Sequence, residues 1–350
     1  MSDISKIDKN FAVKTNIDKD GIKFYNADES PFKVYGVFRE NGKYRRMPES
    51  VAKSVNAGVY GLHANTAGGR VGFKTDSSYV AIVAQMDALG KMPHFPFTGS
   101  IGFDLYADNE YIRTFVPPVD VSDGYEGLIE LGSEKLREIT INFPLYSDVK
   151  QLYIGIDEGA AIEESAPYKN TKPIVYYGSS ITQGGCASRP GMSYESIISR
   201  RFGYDYINLG FSGSARAEDE IADYIKGLDM SLFVYDYDHN APTVEHLRNT
   251  HERMFKAVRA AKPDIPIIMM SRPKFKLTDE ETERLDIIKT TYNNAVAAGD
   301  RNVYLIDGKA LTALCKNDGT VDNCHPTDFG FASMAKALGD VIAGIDLKEV

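Results

Sequence analysis

The chain changes its pattern near residue 170, and that change limits the folds open to it. From Pro173 onward, short apolar runs alternate with helical stretches. The pattern predicts strands at 174–178, 206–210, 231–236, 265–270 and 303–307, and helices at 193–202, 217–226, 243–261, 279–298 and 328–343. The helix ends agree. Thr278 with Glu281 makes a capping box, Gly299 sits just past that helix, and Gly203 follows Arg200-Arg201-Phe202. Thr327 can cap the last helix. Five strands alternating with helices require a parallel sheet covered on both faces, with ligands bound at the carboxyl ends of the strands.

Residues 20 to about 160 follow a different rule. Runs at 34–38 and 43–46 flank Asn41-Gly42, a strong hairpin dipeptide. Residues 70–75 alternate in polarity, 79–84 are apolar, and 100–106 and 111–116 flank a polar turn at 107–110. Ile139, Ile141 and Phe143 alternate with Thr140 and Asn142, and 152–156 closes the series. Short strands between turn residues predict a β-sandwich, jelly-roll-like in character. A polar stretch at 163–173, bracketed by prolines, divides the two patterns. The 350 residues suit two domains. These are an N-terminal β-sandwich at 1–168 and a flavodoxin-like α/β/α domain with a five-stranded parallel sheet at 169–350.

A net charge of −9 argues against a nucleic-acid partner, because phosphate binding needs a cationic surface. No stretch is long and apolar enough to span a bilayer, so no membrane partner is expected. Residues 1–9 lack the apolar core of a signal peptide, which makes the cytoplasm the expected location. Cys186, Cys315 and Cys324 are odd in number and resemble no metal knuckle. They read as small packing residues, with a Cys186–Cys324 redox link as the sharper alternative.

The candidate chemistry lies at the strand ends. Ser180, in Gly178-Ser179-Ser180-Ile181-Thr182, follows the first strand of the sheet. Gly213 follows the second, Asn240 the third, and Asp322 and His325 lie in the loop after the fifth, so all can meet on one rim. A serine hydroxyl needs a base before it attacks a carbonyl, and His325 is the candidate. Asp322, three residues earlier, can accept from Nδ1–H of His325, fixing the tautomer and stabilising the imidazolium. The oxyanion of the tetrahedral intermediate needs donors, here the N–H groups of Ser180 and Gly213 and the Asn240 side-chain amide. This is not a Gly-x-Ser-x-Gly elbow, since position 182 is Thr, and no phosphate loop is present.

These segments resemble the SGNH (GDSL-type) hydrolase superfamily, whose four blocks carry Ser, Gly, Asn and His. On this chain the blocks fall at Ser180, Gly213, Asn240 and His325, with Asp322 completing a triad. In addition, Gly102-Phe103-Asp104-Leu105-Tyr106 resembles the Gly-x-Asp-Leu-Tyr signature of a β-sandwich that precedes the catalytic domain in a branch of bacterial SGNH esterases. The resemblance implies a carbohydrate esterase that removes acetyl groups and needs neither cofactor nor metal. Its partner would be an acetylated oligosaccharide or another small acyl ester, and a homo-oligomer is compatible with it. Two positions depart from the family pattern. Ser179 stands where the usual block has aspartate, and Asp238 stands where the third block has glycine.

Other residues carry weaker signals. His94, in a proline-flanked aromatic loop, can lean over the rim and stack on a sugar. His239 and Arg272 are further candidates for substrate contact, with local packing and pairing with a surface acid as their respective alternatives. His246 and His251, five apart on one helix, read as surface histidines, and His63 is uninformative. The segment 236–247 mimics an EF-hand start but has Ala241 and Leu247 where glycine and glutamate are required. Two rival readings are a lipid esterase or thioesterase of the same superfamily and a catalytically dead carbohydrate-binding protein.

Overall fold

The computed structural model describes residues 13–347, so the charged stretch 1–9 lies outside it. In the first domain two antiparallel sheets pack face to face. One runs Ile22–Asn26, Val149–Asp157, Tyr79–Met86, Gly124–Glu130. The other runs Ile162–Glu164, Arg70–Thr75, Arg137–Asn142, Phe103–Ala107, Glu110–Phe115, with Lys33–Tyr35 also paired to Arg70–Thr75. Alternate residues of both sheets fill one core: Val71, Phe73, Leu105, Ile139 and Ile141 from one face, Val80, Ile82, Leu152 and Ile154 from the other. The sandwich follows from this period-two burial.

Asn41 and Gly42 take φ of +50° and +79°, closing the hairpin of Phe38–Glu40 on Lys43–Arg45. The run 34–38 is not one strand, however. Gly36 breaks it at φ +73°, and a Cβ there would lie 2.2 Å from the Gly68 carbonyl oxygen. The expected strand at 100–106 begins only at Phe103, because Phe97–Ser100 forms a helical turn.

The second domain matches its pattern closely. Its parallel sheet runs Tyr206–Gly210, Ile174–Gly178, Leu232–Asp236, Ile267–Met270, Val303–Ile306. Val175, Tyr177, Phe233 and Tyr235 face helices Asp219–Gly227, Val244–Ala261 and Asp279–Ala297. Ile174, Tyr176, Leu232 and Val234 face Tyr194–Phe202 and Asp328–Ile342. The Thr278–Glu281 capping box forms, and Gly203 caps its helix at φ +71°. Thr327 holds the N-cap position without a cap bond; its hydroxyl donates to the Gly319 carbonyl.

Helices Glu49–Val55 and Ala57–Leu62 leave the sandwich and join the other core, where Ala52 and Val59 are fully buried beside Leu209 and Ile221. Asn56 caps the second of them and ties it to Ser214 and Glu218. Among the described residues no helix is long and apolar enough to cross a membrane.

Candidate active site

The strand Ile174–Gly178 ends where the chain must turn sharply. A Cβ on Gly178 would meet Thr182 Oγ1 at 2.2 Å and the Asp236 carbonyl at 2.5 Å, so glycine is required. The turn beyond it is held by Gln183 N–H donating to the Ser179 carbonyl and Gly185 N–H donating to that of Ser180. Tyr146 of the first domain donates its hydroxyl to the same Ser180 carbonyl at 3.1 Å.

Ser180 Oγ lies 2.9 Å from His325 Nε2, and His325 Nδ1 lies 2.8 Å from Asp322 Oδ2. The loop that carries the last two is closed on itself. Val321 N–H donates to the His325 carbonyl, and Asn323 turns at φ +65°. Asp322 Oδ1 accepts from the backbone N–H of Cys324 at 3.1 Å and of His325 at 2.7 Å. One carboxylate therefore orients both the backbone and the ring of His325. Burial alone would push the Asp322 acid up; the hydrogen bonds from His325 and Cys324 outweigh it and hold the pKa at about 2. A permanent anion at Nδ1 keeps the proton there and leaves the Nε2 lone pair facing the Ser180 hydroxyl.

The structure brings the other expected residues to the same rim in different ways. Asn240 donates its side-chain amide to the Phe211 carbonyl at 2.9 Å, which fastens it to the loop that carries Gly213. One amide hydrogen is thus engaged and the second remains. Gly213 is exposed at φ +67°, and a Cβ there would meet nothing within 4 Å. His94 is exposed, with its ring 5.7 Å from that of His325.

Arg272 is paired with two acids: its head is held by Asp238 Oδ2 at 3.2 Å and Glu281 Oε1 at 3.1 Å. The same bonds account for the departure at position 238, because the buried Asp238 carboxylate is matched by Arg272. His239 turns to the Cys324 sulfur, 3.9 Å away, and burial lowers its pKa to about 4, keeping the ring neutral. His251 is not on the surface. It is buried, bonded to Thr291 at 2.9 Å and stacked on Tyr235, whereas His246 is half-buried, its Nε2 2.8 Å from the Arg216 carbonyl. All three cysteines are free, so the Cys186–Cys324 link is not formed.

Sequence reasoning passed over three supports. Gln183 is fully buried and accepts from Ser212 N–H while donating to Asn65 and the Leu145 carbonyl. Arg46 is also buried and donates to the carbonyls of Asn65, Leu62, Asn208 and Gly210. Tyr146, described above, is the third. Each acts across a long sequence separation, so no local spacing marks it.

The family model of the GDSL-like lipase/acylhydrolase family matches residues 171–343. The model of the N-terminus of SGNH-hydrolase-type esterases matches residues 22–162. No curated protein sequence matches the chain. Among solved structures, a protein from Bacteroides ovatus described as a GDSL-like lipase is 27% identical, with a TM-score of 0.82 over 92% of this chain and 97% of that one. The salicylyl-acyltransferase SsfX3 from a tetracycline biosynthetic pathway is 19% identical, TM-score 0.76, over 94% and 99%. An acetyl xylan esterase from the rumen bacterium Butyrivibrio proteoclasticus is 12% identical, TM-score 0.58, over 92% and 98%.

Proposed function

The chain belongs to the GDSL-like lipase/acylhydrolase family and carries the N-terminal domain of SGNH-type esterases, and from this we propose that it is a serine esterase hydrolysing small acyl esters, acetyl first, on carbohydrates. The observation that carries the reading is the unbroken relay from Ser180 through His325 to Asp322, at 2.9 and 2.8 Å.

Ser180 attacks the ester carbonyl as His325 Nε2 takes its proton. The imidazolium is stabilised by Asp322, which stays ionised. The oxyanion is met by the N–H groups of Ser180 and Gly213 and by the remaining amide hydrogen of Asn240. Collapse of the intermediate expels the alcohol, protonated by His325. Water, deprotonated by the same ring, then frees the acid and restores Ser180. The proposal routes no step through a metal or cofactor.

Support for a small acyl group on a sugar comes from two directions. The likeness to an acetyl xylan esterase covers nearly the whole chain. In addition, the exposed His94 ring stands beside His325, where it can stack on a sugar face. Three free thiols suit a cytoplasmic enzyme. The test is acetate release from acetylated xylan, mannan and pectin oligosaccharides. Release from at least one is expected. No release from any, with preferred turnover of long-chain nitrophenyl esters, would move the substrate to lipids.

A further inference from the structure

Three metal-ligating side chains from three separate segments converge on the candidate nucleophile. His94 comes from the first domain, Cys186 from the turn after Ser180, and His325 from its own closed loop. A ring nitrogen of each histidine and the Cys186 sulfur lie within 4.8 Å of one another. Cys186 is buried and holds φ +74°, a backbone conformation that residues other than glycine seldom take. The proposed ester hydrolysis has no use for this thiol.

We propose that His94, Cys186 and His325 form a binding site for a borderline-soft divalent cation, zinc above all, and that its occupation switches the hydrolase off. Two nitrogens and one sulfur are the donor set zinc favours over magnesium or calcium. The second argument is the Asp322–His325 pair. A histidine that ligates zinc almost always has its other ring nitrogen bonded to a carboxylate or carbonyl, which fixes the tautomer. His325 is arranged in that way: Asp322 takes Nδ1–H, and Nε2 presents its lone pair. The Ser180 hydroxyl now shares that lone pair at 2.9 Å, so a cation and the serine proton compete for one site. A bound metal thereby removes the base.

Zinc–ligand bonds of ~2.0–2.3 Å draw donors to roughly 3.5 Å apart. The donors must therefore close somewhat from the present spread, and His94, exposed on its loop, is the arm that moves. On binding, the thiol releases its proton to solvent, and nothing is oxidised or reduced. A water completes the tetrahedron.

Cobalt(II) is the spectroscopic probe, used on the full chain carrying Ser180→Ala so that the readout needs no turnover. Tetrahedral d–d bands with a near-ultraviolet thiolate-to-cobalt charge-transfer band are expected. Adding His94→Ala or Cys186→Ser should weaken binding at least ~10-fold. In the active enzyme, zinc should inhibit ester turnover, a chelator should restore it, and Cys186→Ser should raise the half-inhibiting concentration at least ~10-fold. Absence of the charge-transfer band, or zinc sensitivity unchanged in both His94→Ala and Cys186→Ser, overturns the site. If the esterase reading itself failed there would be no turnover to inhibit, yet the cobalt band would persist.

Discussion

Asp104, deep in the first domain, accepts a hydrogen bond at 2.8 Å from the backbone N–H of Gly191 in the second. The same oxygen pairs with Arg189 at 3.1 Å, and the other oxygen accepts from Asn142 at 2.8 Å. A Cβ on Gly191 would lie 2.4 Å from the Tyr106 hydroxyl and 2.7 Å from Asp104 Oδ2, so only glycine fits. The Asp-Leu-Tyr signature is therefore a clamp between domains. It holds the turn Pro190–Met192 that leads into helix Tyr194–Phe202.

Removing that carboxylate leaves Arg189 half-buried without its counter-charge. Asp104→Ala should cost about 3 kcal/mol of stability, the usual penalty for breaking a buried pair from one side. Urea denaturation measures it. A loss below ~1 kcal/mol would mean that the clamp contributes no more than an exposed ion pair.

In the proposed mechanism the second amide hydrogen of Asn240 meets a charge that exists only in the transition state. Asn240→Ala should lower kcat by ~10²-fold or more, about 3 kcal/mol, with little change in KM. Steady-state kinetics on a nitrophenyl ester would show this. A drop of less than ~10-fold would assign the oxyanion to the backbone N–H groups of Ser180 and Gly213.

His251 makes stability depend on pH. Burial lowers its pKa to about 3. The unfolded chain binds a proton there near pH ~6.5, so below that value it takes up a proton the folded chain refuses. The contribution is complete above ~6.5 and is lost as pH falls toward the folded value, at up to ~1.4 kcal/mol per pH unit. His251→Phe keeps a ring against Tyr235 and removes the titration. Urea midpoints followed from neutral to acid pH should fall less steeply in the variant, and equal slopes would contradict the assignment.

The second domain was legible because each signal was local. Its strands are near-continuous apolar runs, as a doubly covered sheet demands, and helices Tyr194–Phe202, Val244–Ala261 and Asp279–Ala297 carry side-chain caps. The meeting of Ser180, Asp322 and His325 was legible for the same reason, since a strand end and one closed turn position them. What escaped detection depends on distant partners. Helices Glu49–Val55 and Ala57–Leu62 are too short to show a helical period, and the surface that buries Ala52 and Val59 belongs to the other domain. The strands Ile22–Asn26 and Gly124–Glu130 lie at the two edges of their sheet and mix polar with apolar residues. Spacing put both His246 and His251 on the surface and could not say that helix Asp279–Ala297 covers the second. Nor could it say that Asp238 and Arg272 would claim each other.

The most direct measurement is rapid-quench mass analysis of the enzyme with 4-nitrophenyl acetate. A burst of nitrophenol and a mass gain of one acetyl group, mapped by peptide digestion to Ser180, are expected, both absent in Ser180→Ala that still folds. Undiminished turnover in that variant, or an acetyl group carried on any other side chain, would contradict Ser180 as the nucleophile.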